Sequence, residues 1–347
     1  MRGESKLRRR VRRAGTPEPG VPVFGIEEEI FITHPERTSL QSLYYLAKLL
    51  WRNPRYYYSH SDSNFARRGD IRQAVMGGVE LSTACHTSVK NLVADLAARR
   101  AEFSTVCDDA LLVPLGHLID LNAPTLTCGM HIHVGNLDNS ENAYAGLVHF
   151  LPLLALLGAN APFASGKYFG KSYRMANSYA IGPLRADPWY RFQDIIFARR
   201  LGTIEIRVFD PVWDLERVRL IAECILSIVT SDRTYELDRG EYNRLRRVFV
   251  REGYTEEMAR LYRELSDLAD VPEEMFARTP SDSVRELFGR HGLIDTYSAL
   301  DNAYRNNVLE ARRLPSMKAQ PARAAMGLAS YYIVRLPYKI RKVMSEW

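Results

Sequence analysis

"VPVFGIEEEIFIT" (residues 21–33) places three consecutive glutamates, Glu27, Glu28 and Glu29, between apolar flanks. Val, Ile, Phe and Thr favour a pleated strand. Side chains alternate along a strand, so Glu27 and Glu29 share one face and Glu28 takes the other. Two carboxylates on one face, about 7 Å apart, repel unless solvated, protonated or bridged by a cation. Ile26, Ile30, Phe31 and Ile32 predict a substantially buried strand, where an acid pair points to a metal ion. An edge strand with its acids in water is the competing reading, and both stand on this stretch alone.

Three further stretches raise the same question. In "TIEIRVFD" (203–210), Thr203, Glu205 and Arg207 share one strand face, and Ile204, Ile206 and Val208 the other. Glu205 and Arg207 form either a surface ion pair of small worth or a site that needs both charges. "IRQAVMGGVELST" (71–83) reads as a strand carrying the lone acid Glu80. "TCGMHIHVG" (127–135) reads as a short strand with His131 and His133 on one face. A His-x-His pair suits metal ligation; one packed and one solvent-bonded histidine is the alternative. Together, Glu27, Glu29, Glu80, His131 and Glu205 offer five ligands, an oxygen-rich set that suits Mg²⁺ or Mn²⁺ better than zinc. Arg207, Arg174 and Lys171 are then available for phosphate oxygens, as a nucleoside triphosphate needs.

The 347 residues, 46% hydrophobic and 25% charged, fit a soluble globular protein of one large or two smaller domains. Cys85, Cys107, Cys128 and Cys224 form no CxxC pair, so neither a zinc ribbon nor a disulfide framework is expected, and a reduced, cytoplasmic setting fits. The longest apolar run, 147–163, contains His149 and Pro152 and is short for a bilayer. It reads as a buried helix ending near Gly158, and no membrane role is expected. The Arg-rich N-terminus lacks the apolar region of a signal peptide.

Charge is segregated. Residues 1–13 hold seven basic side chains against Glu4, and residues 304–347 hold nine basic and two acidic ones, leaving an acidic centre. Residues 1–20 read as a basic flexible arm, a solvated tail rather than a nucleic-acid ligand, since no aromatic residues interleave its charges. Helical spacing runs through 40–51, from about Ser88 through Leu112, through 141–158 and 215–230, and again beyond 240. Residues 164–183 read as a polar loop. Strands alternating with helices predict a helix-covered sheet, α/β or α+β.

The order of "GIEEEIFI", "GVELST", "TCGMHIHVG", "GANAPF", "KSYRMANS" and "GTIEIRVFDPV" over residues 24–230 resembles the carboxylate–amine ligase family, also called glutamate–cysteine ligase type 2. Its signatures are similar to those of glutamine synthetase. The resemblance implies an α+β, glutamine synthetase-like catalytic domain over 21–303, with a curved, largely antiparallel sheet packed by helices, followed by a basic helical segment over 304–347. It implies ATP and Mg²⁺ (or Mn²⁺) as cofactors, small-molecule carboxylate and amine substrates, and a tendency to self-associate. Glu27, Glu29, Glu80, His131 and Glu205 match metal ligands. Arg207, Lys171 and His133 are assigned to the nucleotide, and Arg207 and Arg174 to catalysis at the transferred phosphoryl group. The implied reaction joins a carboxylate to an amine through an acyl phosphate, a γ-glutamyl bond being one candidate.

Two departures stand out. Gln73 occupies a position where the family carries an acid, and "PLGHLID" around His117 replaces a Gly-Thr-His-Pro segment that would shape the substrate pocket. Two rivals follow: another ATP phosphotransferase of related fold, and a degenerate, non-catalytic member that binds an anionic partner.

Overall fold

The computed structural model describes residues 18–34, 37–38, 41–63, 78–124, 126–177, 193–198 and 201–314, with short helical pieces between 322 and 337. The arm up to residue 17, Gln73, and the 164–183 loop beyond Asn177 lie outside the described residues.

Strands β1 (Val23–His34) and β2 (Arg37–Thr38) are followed by helices α1 (Gln41–Arg52) and α2 (Pro54–His60), then β3 (Ser61–Ser63) and β4 (Gly78–Ser82). Helix α3 (Val89–Val106) leads to β5 (Leu111–Val113), β6 (Met130–Gly135) and α4 (Ser140–Leu157). A hairpin of β7 (Phe163–Ala164) and β8 (Lys167–Tyr168) precedes α5 (Tyr173–Asn177), β9 (Ile195–Ala198) and β10 (Thr203–Ile206). Helices α6 (Leu215–Val229), α7 (Arg239–Glu252), α8 (Glu256–Leu265), α9 (Glu274–Ala277) and α10 (Pro280–Asn306, kinked at Gly292) follow.

One sheet runs β3-β4-β1-β6-β10-β9, with β2 and β5 also paired to β1. Every pairing in it is antiparallel, which makes the fold α+β. Strand β1 organises it because its alternation serves two environments. Phe24, Ile26, Ile30 and Ile32 are buried in apolar clusters with the covering helices. Glu28 shares their parity and is fully buried, where Arg100 of α3 pairs with both its carboxylate oxygens. Arg100 also donates to the carbonyls of Val212 and Trp213, and Tyr304 Oη donates to Glu28 at 3.0 Å. Removing one partner of such a pair costs about 3–5 kcal/mol, because the other charge stays buried. Tyr304, the first residue of the expected C-terminal segment, thus lies within α10 and is buried against β1.

Helix α3 buries Val89, Leu92, Leu96, Arg100, Phe103 and Val106, a stripe at spacings of three and four. It ends at Cys107, short of the expected Leu112, because Leu111–Val113 pair with Phe31–Thr33 of β1 instead. Helix α4 is buried almost all round, as the apolar run predicts, and closes on Gly158. Strand β9 lies in a stretch that the sequence reading assigns to no element. It pairs with β10, and Arg207 N–H donates to the Asp194 carbonyl just before it. Among the described residues no helix is long and apolar enough to cross a membrane.

Candidate active site

Glu27 and Glu29 lie on the opposite face of β1, where Phe31 beyond them packs into a further apolar cluster. Glu29 lies opposite Glu80 on β4, Glu27 opposite His131 on β6, and His133 opposite Glu205 on β10. Four neighbouring strands therefore present one row of acids and imidazoles, with Arg207 continuing the parity of Glu205. This face exists because the pleat puts every second side chain on it, and a one-residue slip in any strand would dismantle it.

Glu27 is the hub. His133 Nε2 lies 3.5 Å and His131 Nδ1 3.8 Å from its Oε2, while His131 Nδ1 lies 3.7 Å from Glu205 Oε1. Ligand atoms of Glu27, His133 and Glu205 all fall within 4.8 Å of one another, a spacing a single cation could bridge. His133 Nε2 is buried with no hydrogen-bond partner, and Thr203 Oγ1 sits 3.3 Å from its Nδ1. Two carboxylates and an imidazole with an unsatisfied nitrogen fit a divalent ion such as Mg²⁺ or Mn²⁺.

Charge in the site is finely divided. Burial would raise the pKa of Glu27, but the close imidazoles of His131 and His133 hold it well below the carboxylate range. Burial favours neutral imidazoles, and Arg207 adds to this at His131, whose pKa is lowered. At His133 the nearby carboxylate of Glu27, 3.5 Å away, and the charge of Glu205 outweigh burial and raise the pKa. Glu80 is pushed well above the carboxylate range by burial and by the charges of Glu27, Glu29 and Asp62. Asp62 lies opposite Glu80 on β3, a neighbour that only the pairing reveals.

The structure does not gather every expected residue equally. Glu27, His131, His133 and Glu205 converge, and His133, assigned from sequence to the nucleotide, belongs to the tightest triad. Glu29 and Glu80 share the face but lie outside that triad; Glu29 Oε2 accepts the Gly129 N–H at 2.8 Å. Arg207 pairs directly with Glu205. Arg174 donates to the carbonyls of Val208 and Arg207, each at 2.9 Å, and its Nη2 fills the space a Cβ on Gly129 would take, beside His131 Nε2. Lys171 is not brought to the cluster: its Nζ lies 2.5 Å from Asp282 at the start of α10. His117 is buried with its Nδ1 3.3 Å from the Phe163 carbonyl and its ring against Tyr173; burial lowers its pKa. A cleft of about 590 Å³ opens at the end of β6 and β10, lined by Gly135, Asn136, Phe197, Gly202 and Thr203 among others. Thr203 joins this cleft to His133.

No family model matches the chain. A protein described as "Putative glutamate–cysteine ligase 2" from Clavibacter michiganensis subsp. michiganensis is 32% identical over 154 residues, and one of the same description from Clavibacter sepedonicus is 32% identical over 153. Each match covers 36% of this chain and 39% of the relative, so the aligned part spans about two fifths of those proteins. The crystal structure of glutamate–cysteine ligase from Francisella tularensis in complex with AMP superposes with a TM-score of 0.58 at 13% identity, covering 93% of this chain and 94% of that one. The chain therefore shares the fold of the Francisella glutamate–cysteine ligase, and over about a third of its length its sequence is similar to the type 2 proteins.

Proposed function

We propose that this chain is an ATP-dependent carbon–nitrogen ligase that joins a carboxylate to an amine, with Mg²⁺ or Mn²⁺ as cofactor. The observation that carries this reading is the convergence of Glu27, His133 and Glu205 beside Arg207 and Arg174 on one sheet face. Glu27, His133 and Glu205, with His131, Glu29 and Glu80 alongside, would hold the cation, which supplies positive charge to the phosphate oxygens. The cleft beside Thr203 has room for a nucleotide base next to the cluster. AMP bound to the Francisella ligase of this fold agrees with a nucleotide ligand.

Arg207 and Arg174 donate N–H groups to the phosphate oxygens as charge accumulates there. A substrate carboxylate oxygen attacks the γ-phosphorus, the bond to the β-phosphate oxygen breaks, and ADP leaves. The amine nitrogen then attacks the acyl carbon of the acyl phosphate and the bond to phosphate breaks. The amine proton passes to a carboxylate of the same face.

ADP release with Mg²⁺ across a panel of carboxylates and amines, glutamate with cysteine first, tests this. ADP is expected only when both substrates are present, and Glu205→Ala should slow it by about 100-fold or more. Equal rates in wild type and Glu205→Ala would remove the cluster from the reaction. ADP formed without an amine would favour the phosphotransferase reading.

A further inference from the structure

Arg174 reaches the site from the short helix α5, and the Asp210 carboxylate lies behind it. Asp210 is fully buried, accepts the Asn160 N–H at 2.7 Å, and sits 3.6 Å from Arg174 Nη1. Burial lifts its pKa to about 6, against Arg174 and the Asn160 N–H, so it is ionised above neutrality. Two glycines clear the path. A Cβ on Gly116 would collide with the Asp210 carboxylate, and one on Gly129 with the Arg174 guanidinium. Neither glycine has a positive φ, so backbone conformation alone would admit an alanine at both. They leave space, and the space is filled by one Asp210–Arg174 arm. At its far end, a Cβ on Gly129 would also lie 3.0 Å from His131 Nε2, so guanidinium and imidazole edges border the same space.

We infer that Asp210 is a positioning residue that, with Gly116 and Gly129, holds Arg174 over the cluster for the phosphoryl-transfer step. Two guanidinium N–H groups are committed to the Arg207 and Val208 carbonyls. A guanidinium has five, and those that remain serve the ligand only if the group keeps this orientation. The carbonyl bonds also tie Arg174 to the backbone that follows Glu205, so one side chain sets the height of both arginines. This inference rests on the ligase reading.

The test is a mutant cycle at pH 8, with kcat and KM for ATP measured for Asp210→Asn, Gly129→Ala, Arg174→Ala and the two double variants containing Arg174→Ala. Asp210→Asn and Gly129→Ala should each lower kcat by about 10- to 100-fold, the cost of misplacing a catalytic group, with KM within about threefold. In the Arg174→Ala background each should add less than about twofold, since both act through that guanidinium. Losses that multiply in that background, or an unchanged kcat, would overturn the inference. If Asp210→Asn does not fold, Gly129→Ala carries the same comparison alone. If wild type releases no ADP with any substrate pair, the ligase reading fails, and the cycle is read on thermal midpoints. Coupling between Asp210 and Arg174 there would sustain the arm; additive shifts would dismiss it.

Discussion

Glu205 and Arg207, two residues apart on β10, bind each other while also bordering His131 and His133. The ion pair and the site were rival readings of the sequence, and the structure shows the ion pair standing beside the histidines. Protonation is the variable that ligand binding must change. His133 and Glu80 both hold protons above their ordinary values, His133 because Glu27 and Glu205 outweigh burial, Glu80 because burial and neighbouring acids repel its charge. Without a cation, the His133–Glu27 pair contributes stability below about pH 6.5 that is lost as pH rises through the raised pKa. A cation must displace those protons. Mn²⁺ affinity should therefore tighten by about tenfold or more from pH 6 to pH 8, with proton release seen by calorimetry in buffers of unlike ionisation enthalpy. Affinity that stays flat over that range would sever these residues from the cation. Glu27, Glu29, Glu80, His131 and Glu205 could be picked out because an acid or imidazole in an apolar strand is costly without a purpose. His133 was visible as half of a His-x-His pair, but its partners Glu27 on β1 and Glu205 on β10 were not, since each lies more than 70 residues away in sequence.

Helix α10 shows how an element can claim a residue that sequence assigns elsewhere. Thr279 and Asp282 form a reciprocal capping box, with Asp282 accepting the Thr279 N–H at 2.8 Å and its hydroxyl at 2.9 Å. The same carboxylate binds Lys171 Nζ, which draws the loop before α5 onto the helix start. Lys171→Met should thus lower stability by about 1–3 kcal/mol in denaturant unfolding while Mg·ADP affinity stays within about twofold. A tenfold loss of affinity at unchanged stability would return Lys171 to the nucleotide. Strand β5 follows the same logic: local spacing continued α3, and pairing with β1 decided otherwise.

Across the whole molecule, one sheet packs helices on the face of Phe24, Ile26, Ile30 and Ile32 and gathers like charges around Glu27, Glu29 and Glu80 on the other. On the proposed function, ligands that neutralise that face would link stability to binding. Mg·ADP at about 100 times its Kd should add about 2.7 kcal/mol to unfolding stability, read as a rise in thermal midpoint. Glu205→Ala should show little of that rise. A full response in the variant would place the nucleotide away from the cluster.

By itself, the sequence determined which residues could do the chemistry and the parity that sorts them. Strand alternation separates Glu27 and Glu29 from Glu28, and helical spacing gives α1, α3, α4 and α6, because both are local consequences of backbone geometry. Tertiary structure decided which strands neighbour one another, and with it everything that depends on distance. Register placed Glu27 between His131 and His133, set Asp62 opposite Glu80 and gave Arg100 to Glu28. It also turned Lys171 toward Asp282 and Asp210 toward Arg174. These pairings join residues tens to more than a hundred positions apart, and no local periodicity encodes which distant charge will be nearest.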